Sequence, residues 1–173
     1  HYLASEGVWD LPSLSGRGKL VRHILGGWQV SGILTAQTGA PFRITQTSNS
    51  PGSRPDYIGG GPILDNYQNT RRYLNRSAFA RVPVDRVSRA TVRPGNLGNN
   101  ALRLPGQFNF DFSFGKNFQM TERVKLRLRA DMFNAFNHVN LRNLRTSINS
   151  GTFGQLRSTT DPRVIQLNGR ITF

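Results

Sequence analysis

Two stretches decide the reading of this sequence: Phe108-Asn109-Phe110-Asp111-Phe112-Ser113-Phe114 and Val124-Lys125-Leu126-Arg127-Leu128-Arg129-Ala130-Asp131-Met132. In the first, every even position is phenylalanine, with Asn109, Asp111 and Ser113 between. In the second, the even positions are apolar and the odd ones, Lys125, Arg127, Arg129 and Asp131, are all charged. A helix of 3.6 residues per turn would mix the two sets around its circumference, whereas a strand sends successive side chains to opposite faces. A short break at Gln119-Met120-Thr121 separates the stretches, so they read as a hairpin with one greasy face and one polar face.

The same period extends outward. Ile165, Leu167, Gly169, Ile171 and Phe173 alternate with Gln166, Asn168, Arg170 and Thr172. Trp28, Val30, Gly32, Leu34 and Ala36 alternate with Gln29, Ser31, Thr35 and Gln37, with Ile33 the one apolar residue on the polar side. Tyr2 to Leu11 is extended in character but alternates poorly, and Pro12 ends it. Strands are expected at about 2–11, 26–46, 107–119, 122–136 and 163–173, an all-β fold of antiparallel up-and-down strands. Keeping both greasy faces together requires paired residue numbers with an even sum. A sum of 242 would oppose Asp111 to Asp131, whereas a sum of 240 opposes Asp111 to Arg129, so charge favours 240.

The connections differ in length. About a dozen residues around Ser15-Gly16-Arg17-Gly18 join the first two strands, and the turn at Met120 is tight. By contrast, 47–106 and 137–162 are long and rich in Gly, Asn, Ser and Arg. Short turns on one side and long loops on the other characterise membrane β-barrels. No run of 18 apolar residues occurs, which excludes a membrane-crossing helix but not a crossing strand. In hydrocarbon every backbone polar group must be paired, and only a closed sheet does this without an edge. The chain therefore reads as a partial segment, about five strands, of a transmembrane β-barrel with long extracellular loops 47–106 and 137–162. Lys125, Arg127, Arg129 and Asp131 would face the lumen and the phenylalanine ladder would face lipid. A soluble β-sandwich, its greasy face turned to a second sheet, is the alternative. Five strands cannot close a barrel and the chain starts at His1, so it is expected to be a C-terminal piece that does not function alone.

Composition narrows the chemistry. The 173 residues carry a net charge of +14, with 20 Arg and only Lys19, Lys116 and Lys125, which invites anionic partners. With no Cys, disulfides, zinc–thiolate sites and cysteine nucleophiles are excluded. His1, His23 and His138 are too scattered for a metal site, and His138 reads as a strand-end cap or a partner of a loop carbonyl. Gly59-Gly60-Gly61 lacks the Lys and Ser or Thr of a phosphate loop. Glu6, Asp10, Asp111 and Asp131 read as pore lining or cross-strand partners rather than paired catalytic acids. No nucleophile motif is present, so neither an enzyme nor a cofactor is expected. The 47–106 loop holds nine Arg and three Asp. There Arg71, Arg72 and Arg76 are candidates for gripping an anionic ligand or lipopolysaccharide phosphate, against the plainer reading of a solvated loop.

The run from Phe114 to Asn140, FGKNFQMTERVKLRLRADMFNAFNHVN, resembles the end of the barrel in TonB-dependent outer-membrane receptors, particularly the Oar-like group. The likeness extends to Gly27-Trp28-Gln29-Val30-Ser31-Gly32, to Asn75-Arg76-Ser77-Ala78-Phe79 and to Phe173. It implies a 22-stranded barrel in the outer membrane of a Gram-negative type bacterium, with an N-terminal plug and a TonB-contacting segment upstream. It implies active uptake of a scarce, unspecified solute, and Phe173 read by the barrel assembly machinery. With Phe173 periplasmic, the Met120 turn is periplasmic, the two long loops are extracellular and Trp28 enters the interfacial aromatic belt. Two other functions remain: a non-transporting adhesin or scaffold barrel, and a basic sheet binding single-stranded nucleic acid. The last is disfavoured because Arg127 and Arg129 lie on the face opposite the aromatics, whereas a stacking platform needs both on one face.

Overall fold

The computed structural model describes residues 1–173 except Ser15 and Arg17, and the backbone alone of Lys19. In chain order its elements are β1 (Tyr2–Asp10), α1 (Lys19–Leu25), β2 (Trp28–Gln37), β3 (Pro41–Phe42), β4 (Asp56–Tyr57), α2 (Tyr67–Thr70), a 3-10 turn (Arg76–Ala78), β5 (Phe79–Ala80), β6 (Leu102–Arg103), β7 (Gln107–Gln119), β8 (Lys125–Phe133), β9 (Leu141–Leu144), β10 (Leu156–Thr159) and β11 (Val164–Thr172). They fall into two compact units. The first comprises 1–37, 107–139 and 161–173, and the second comprises 38–106 and 140–160. Among the described residues no helix is long and apolar enough to cross a membrane.

The first unit is an open, antiparallel five-stranded sheet in the order β1-β2-β7-β8-β11. The alternation of each strand joins its neighbour's in register. Trp9, Val30, Phe114, Ala130 and Leu167 form one cross-strand row. Asp10, Gln29, Gly115, Arg129 and Asn168 form the next row, on the other face. Even β1, whose own pattern is weak, joins the scheme with Leu3, Ser5, Gly7 and Trp9 on the apolar face. That face carries its large side chains in the open, Leu167 at 78% exposure and Phe173 at 96%.

The β7–β8 register differs from the expected one. Paired numbers add to 244, as in Phe112 opposite Met132, not to 240, so Asp111 does not face Arg129. The even sum holds, and no like charges meet across this pair: Ser113 faces Asp131 and Gly115 faces Arg129. Charge excluded 242 but could not choose between 240 and 244. The loop from Met120 to Val124 chose, because the Met120 and Thr121 N–H groups both donate to the Val124 carbonyl, at 3.0 and 3.2 Å. Gly115 suits the pairing, since a Cβ there would come within 3.1 Å of the Leu128 carbonyl oxygen.

Two strands are also shorter than expected, and one connection holds a helix. The expected 26–46 strand is Trp28–Gln37, because Pro41–Phe42 turns away to pair with Leu102–Arg103 in the second unit. The expected 122–136 strand begins at Lys125 and ends at Phe133. There Asn134 and Asn137 adopt left-handed φ of 49° and 52°, and the Asn134 N–H donates to Asp111 at 2.9 Å. The connection after β1 contains α1; Ser15 and Arg17, within its expected centre, lie outside the described residues.

In the second unit the two long connections hold short ladders and a core of their own. Ile44, Tyr73, Leu74, Ala78, Phe79, Leu97, Leu141, Ile148, Phe153 and Leu156 make a shared core drawn from both long connections. Phe79 and Phe153 meet edge-to-face with centroids 5.8 Å apart. Three two-stranded ladders, β3–β6, β4–β5 and β9–β10, frame it. The buried amide of Gln46 stands in for a strand partner, donating to the Val82 carbonyl at 2.6 Å and accepting the Val82 N–H at 2.8 Å. Burial without such partners would cost on the order of 1–3 kcal/mol per group.

Candidate functional site

The polar face of the five-stranded sheet holds the densest chemistry. Period-two alternation on β8 places Lys125, Arg127, Arg129 and Asp131 side by side on it. Asp131 is the organising group. Its carboxylate accepts from Ser113 Oγ on β7 at 2.5 Å, from Arg129 Nε at 2.7 Å and from Asn168 Nδ2 on β11 at 3.2 Å. Arg129 Nη2 also donates to Ser113 Oγ at 3.2 Å. One carboxylate thereby ties three strands together and neutralises one arginine. Farther along the same face Gln29 donates to Asp10 at 2.9 Å. Asp10, Gln29, Ser113, Arg127 and Arg129 help to line a shallow polar notch of about 110 Å³.

The remaining cations gather toward the short-turn end of the sheet. Arg127 stands directly opposite Arg170, and Lys125 opposite Thr172. Like charges placed directly opposite are destabilising in isolation, so this band is suited to an anionic counterpart. The five phenylalanines of β7 pair in rows on the reverse face, so the aromatics and the cations do not form one stacking platform.

Sequence reasoning picked out the charged row itself. It missed Ser113 and Asn168 as partners of Asp131, because the first depends on the 244 register and the second on which strand closes against β8. It also missed Lys116, which occupies an even position among the apolar residues.

Arg71, Arg72 and Arg76 lie in the second unit and are exposed, but each is engaged in structure. Arg71 ends α2 with a left-handed φ of 57°, and its carbonyl accepts from the Leu156 N–H at 2.8 Å. Arg72 makes an antiparallel bridge to Gln155. The Arg76 guanidinium donates to the Ser150 carbonyl at 3.1 Å and lies 5.9 Å from the centre of the Phe153 ring. The strongest ion pair of this unit was not singled out from sequence: Arg93 grips both oxygens of Asp56, at 2.9 and 2.6 Å. The Asn96 N–H adds a third bond to Asp56 at 3.0 Å. The Arg93 guanidinium first, and the Asn96 N–H with it, hold the Asp56 carboxyl below the usual carboxylate range against an opposing effect of burial. Burial pushes the Tyr73 phenol up, and its hydroxyl donates to the Arg103 carbonyl at 2.6 Å.

Among the described residues no His, Asp and Glu side chains converge as metal ligands. His23 packs edge-on against Phe118 and His138 against Phe108, with centroids 5.6 and 5.5 Å apart. Gly59 and Gly60 have φ of 102° and 85° in a turn whose Gly60 carbonyl accepts from the Tyr57 hydroxyl.

A strand-by-strand division into an apolar and a charged face, with large apolar side chains of one face such as Trp9, Leu167 and Ile171 left open, is the arrangement of a sheet built to stand between lipid and water. The family model of an outer membrane beta barrel domain matches residues 1–166. The chain belongs to this outer-membrane β-barrel family. Neither a curated protein nor a solved structure gives a match. Family membership places the protein in the outer membrane, and it accounts for the exposed apolar rows: in a barrel of this family they meet hydrocarbon, and the charged row meets water.

Proposed function

We propose that this outer-membrane barrel protein is a TonB-dependent receptor for active uptake of a scarce solute, and that the chain supplies its C-terminal wall. The observation that carries the reading is the charged face of β8 and β11. A barrel serving only as a membrane anchor has no need of a lumen wall with Lys125, Arg127 and Arg170 gathered beside a single organised Asp131. The likeness of the run 114–140 to Oar-like barrel ends supports the transport class. In this reading Lys125, Arg127, Arg129 and Asp131 line the lumen, and the second unit is extracellular. Its exposed Arg71, Arg72 and Arg76 are available to an anionic solute or to lipopolysaccharide. Phe173, standing open beyond β11 in line with Ile171 and Leu167, is the residue recognised by the assembly machinery. The work is passage, not catalysis: energy comes through TonB, engaged by a region outside this chain.

The test is genetic. Strains lacking this protein, lacking TonB, or lacking both are grown with ferric chelates, oligosaccharides or peptides as the limiting nutrient. The expected outcome is one nutrient on which all three strains fail equally. A nutrient defect that persists in full without TonB as an additional, independent loss overturns the reading, as does normal growth of the single mutant on every nutrient together with loss of surface attachment.

A further inference from the structure

Lys116 is out of place. It sits at an even position of β7, in the lipid-facing set with Phe114 and Phe118, yet it is only 6% exposed. A charge in such a position is costly unless it is fully hydrogen-bonded. Its ammonium donates to the carbonyls of His23 at 2.5 Å and Ile24 at 3.1 Å, and also to that of Gly26. These carbonyls lie at the C-terminal end of α1, where backbone oxygens lack partners within the helix and a cation is favoured. The ammonium also lies 5.8 Å from the Trp28 ring centre and 5.0 Å from that of Phe118.

Two more contacts come from the same face. Trp28 Nε1 donates to the Ile24 carbonyl at 3.0 Å, and Phe118 takes the edge of the His23 ring. Trp28, Lys116 and Phe118 all belong to the apolar face, so α1 is fastened to the outside of the wall. It does not hang below the sheet or turn toward the polar side. Gly27, with φ of +69°, lets the chain leave the helix and enter β2 at once.

Once fastened, α1 leaves Leu20 72%, Ile24 49% and Leu25 61% exposed. The residues that fasten α1, Trp28 and Phe118, belong to the apolar face that meets hydrocarbon, Phe118 in one row with Leu126 and Ile171. Arg22, also on α1, is exposed and cationic. We propose that α1 is an interfacial anchor: Lys116 holds it on the barrel's outer surface so that Leu20, Ile24 and Leu25 enter the acyl boundary of the adjacent leaflet. Arg22 meets phospholipid phosphate. Short basic amphipathic helices bind such boundaries through buried apolar area and attraction to anionic lipid. The inference uses family membership and the apolar wall, and does not depend on which solute, if any, is transported.

The test uses the protein assembled in outer membranes and reconstituted in phosphatidylethanolamine–phosphatidylglycerol vesicles. These 173 residues contain no cysteine, so once any cysteine elsewhere in the protein is replaced by serine, single labelling sites are introduced at Leu20→Cys, Ile24→Cys and, as an aqueous control in the other short turn, Glu122→Cys. Each carries a bimane probe. Lipids brominated near the headgroup end of the acyl chain are expected to quench the probes at 20 and 24 about threefold more than the one at 122, with iodide showing the reverse order. Lys116→Met is expected to bring the probe at 24 to the level of the control while heat-modifiable mobility persists. Equal lipid quenching at 24 and 122 overturns the proposal. So does shielding from iodide without lipid quenching, which would mean a protein covers the helix. The labelled single-cysteine chains decide the question even where Lys116→Met does not assemble.

Discussion

The two units of this chain solve opposite problems with similar residues. In the second, Ile44 and Leu156 are each 2% exposed and the aromatics pack on one another. In the first, Trp9, Leu167 and Ile171 stand open along a sheet whose polar side is internally bonded. One unit hides its apolar surface inside itself because water surrounds it. The other presents that surface because hydrocarbon does. A single chain therefore carries two solvent codes: dispersed apolar residues that converge through tertiary contact, and strictly alternating ones that never need to converge.

The comparison can be broken in four ways. The largest effect belongs to the self-contained core. Phe153→Ala removes a ring packed against Phe79 and below Arg76 and is expected to cost about 3–5 kcal/mol. Hydrogen exchange should rise through 38–106 and 140–160 while the heat-modifiable mobility of the barrel is retained; loss of both together would mean the units are not energetically separate. Next comes the lipid code. Phe112→Arg is expected to cost about 2–4 kcal/mol in urea titrations in phospholipid vesicles, whereas Thr35→Arg, on the polar face, should change little; equal penalties would show that the two faces are not in different solvents.

A smaller loss is expected for Asp131→Asn, about 1–2 kcal/mol, since charge-assisted bonds to Ser113, Arg129 and Asn168 weaken in a partly solvated setting. The same urea titration reads it, with the change confined to the pairing of β7, β8 and β11. The smallest effect is a pH dependence in the second unit. Arg93 holds the Asp56 carboxyl below its unfolded value, so the folded form binds the proton less readily. The contribution is present above the ordinary carboxylate pKa of about 4 and is lost as pH falls through the lowered folded pKa. Exchange at the Asn96 N–H should quicken over that acidic window in the native chain. Asp56→Asn should be loose already at neutral pH and flat across the window; an unchanged acid response in the variant would rule out this pair as its source.

Much of the sheet was legible from sequence because alternation is a local property. Phe108 to Phe114 reports its two faces whatever lies beside it, and the same holds for Lys125 to Asp131. The register was not legible to the residue, because charge rejected one pairing and left two, and five residues of turn hydrogen bonding made the choice. The organising role of Asp131 stayed hidden for a related reason, since Ser113 becomes its neighbour only in that register and Asn168 only through the pairing of β11 with β8. The second unit was hidden more deeply. Ile44, Tyr73, Leu97, Ile148 and Phe153 have no shared period and lie far apart in sequence, so nothing local marks them as a core. Lys116 read as one more cation in a basic chain, and its even position was the available signal.

By itself the sequence determined which residues face apart, that the strands run up and down, and that no apolar helix crosses a membrane, because backbone geometry imposes a period of two on any strand. Only the tertiary structure decided that the long connections fold around one core, that Asp131 joins three strands, and that a buried lysine clasps a short helix to the greasy side of the wall. Those outcomes rest on contacts between residues tens of positions apart, whose formation depends on chain closure and packing rather than on any pattern a local window contains.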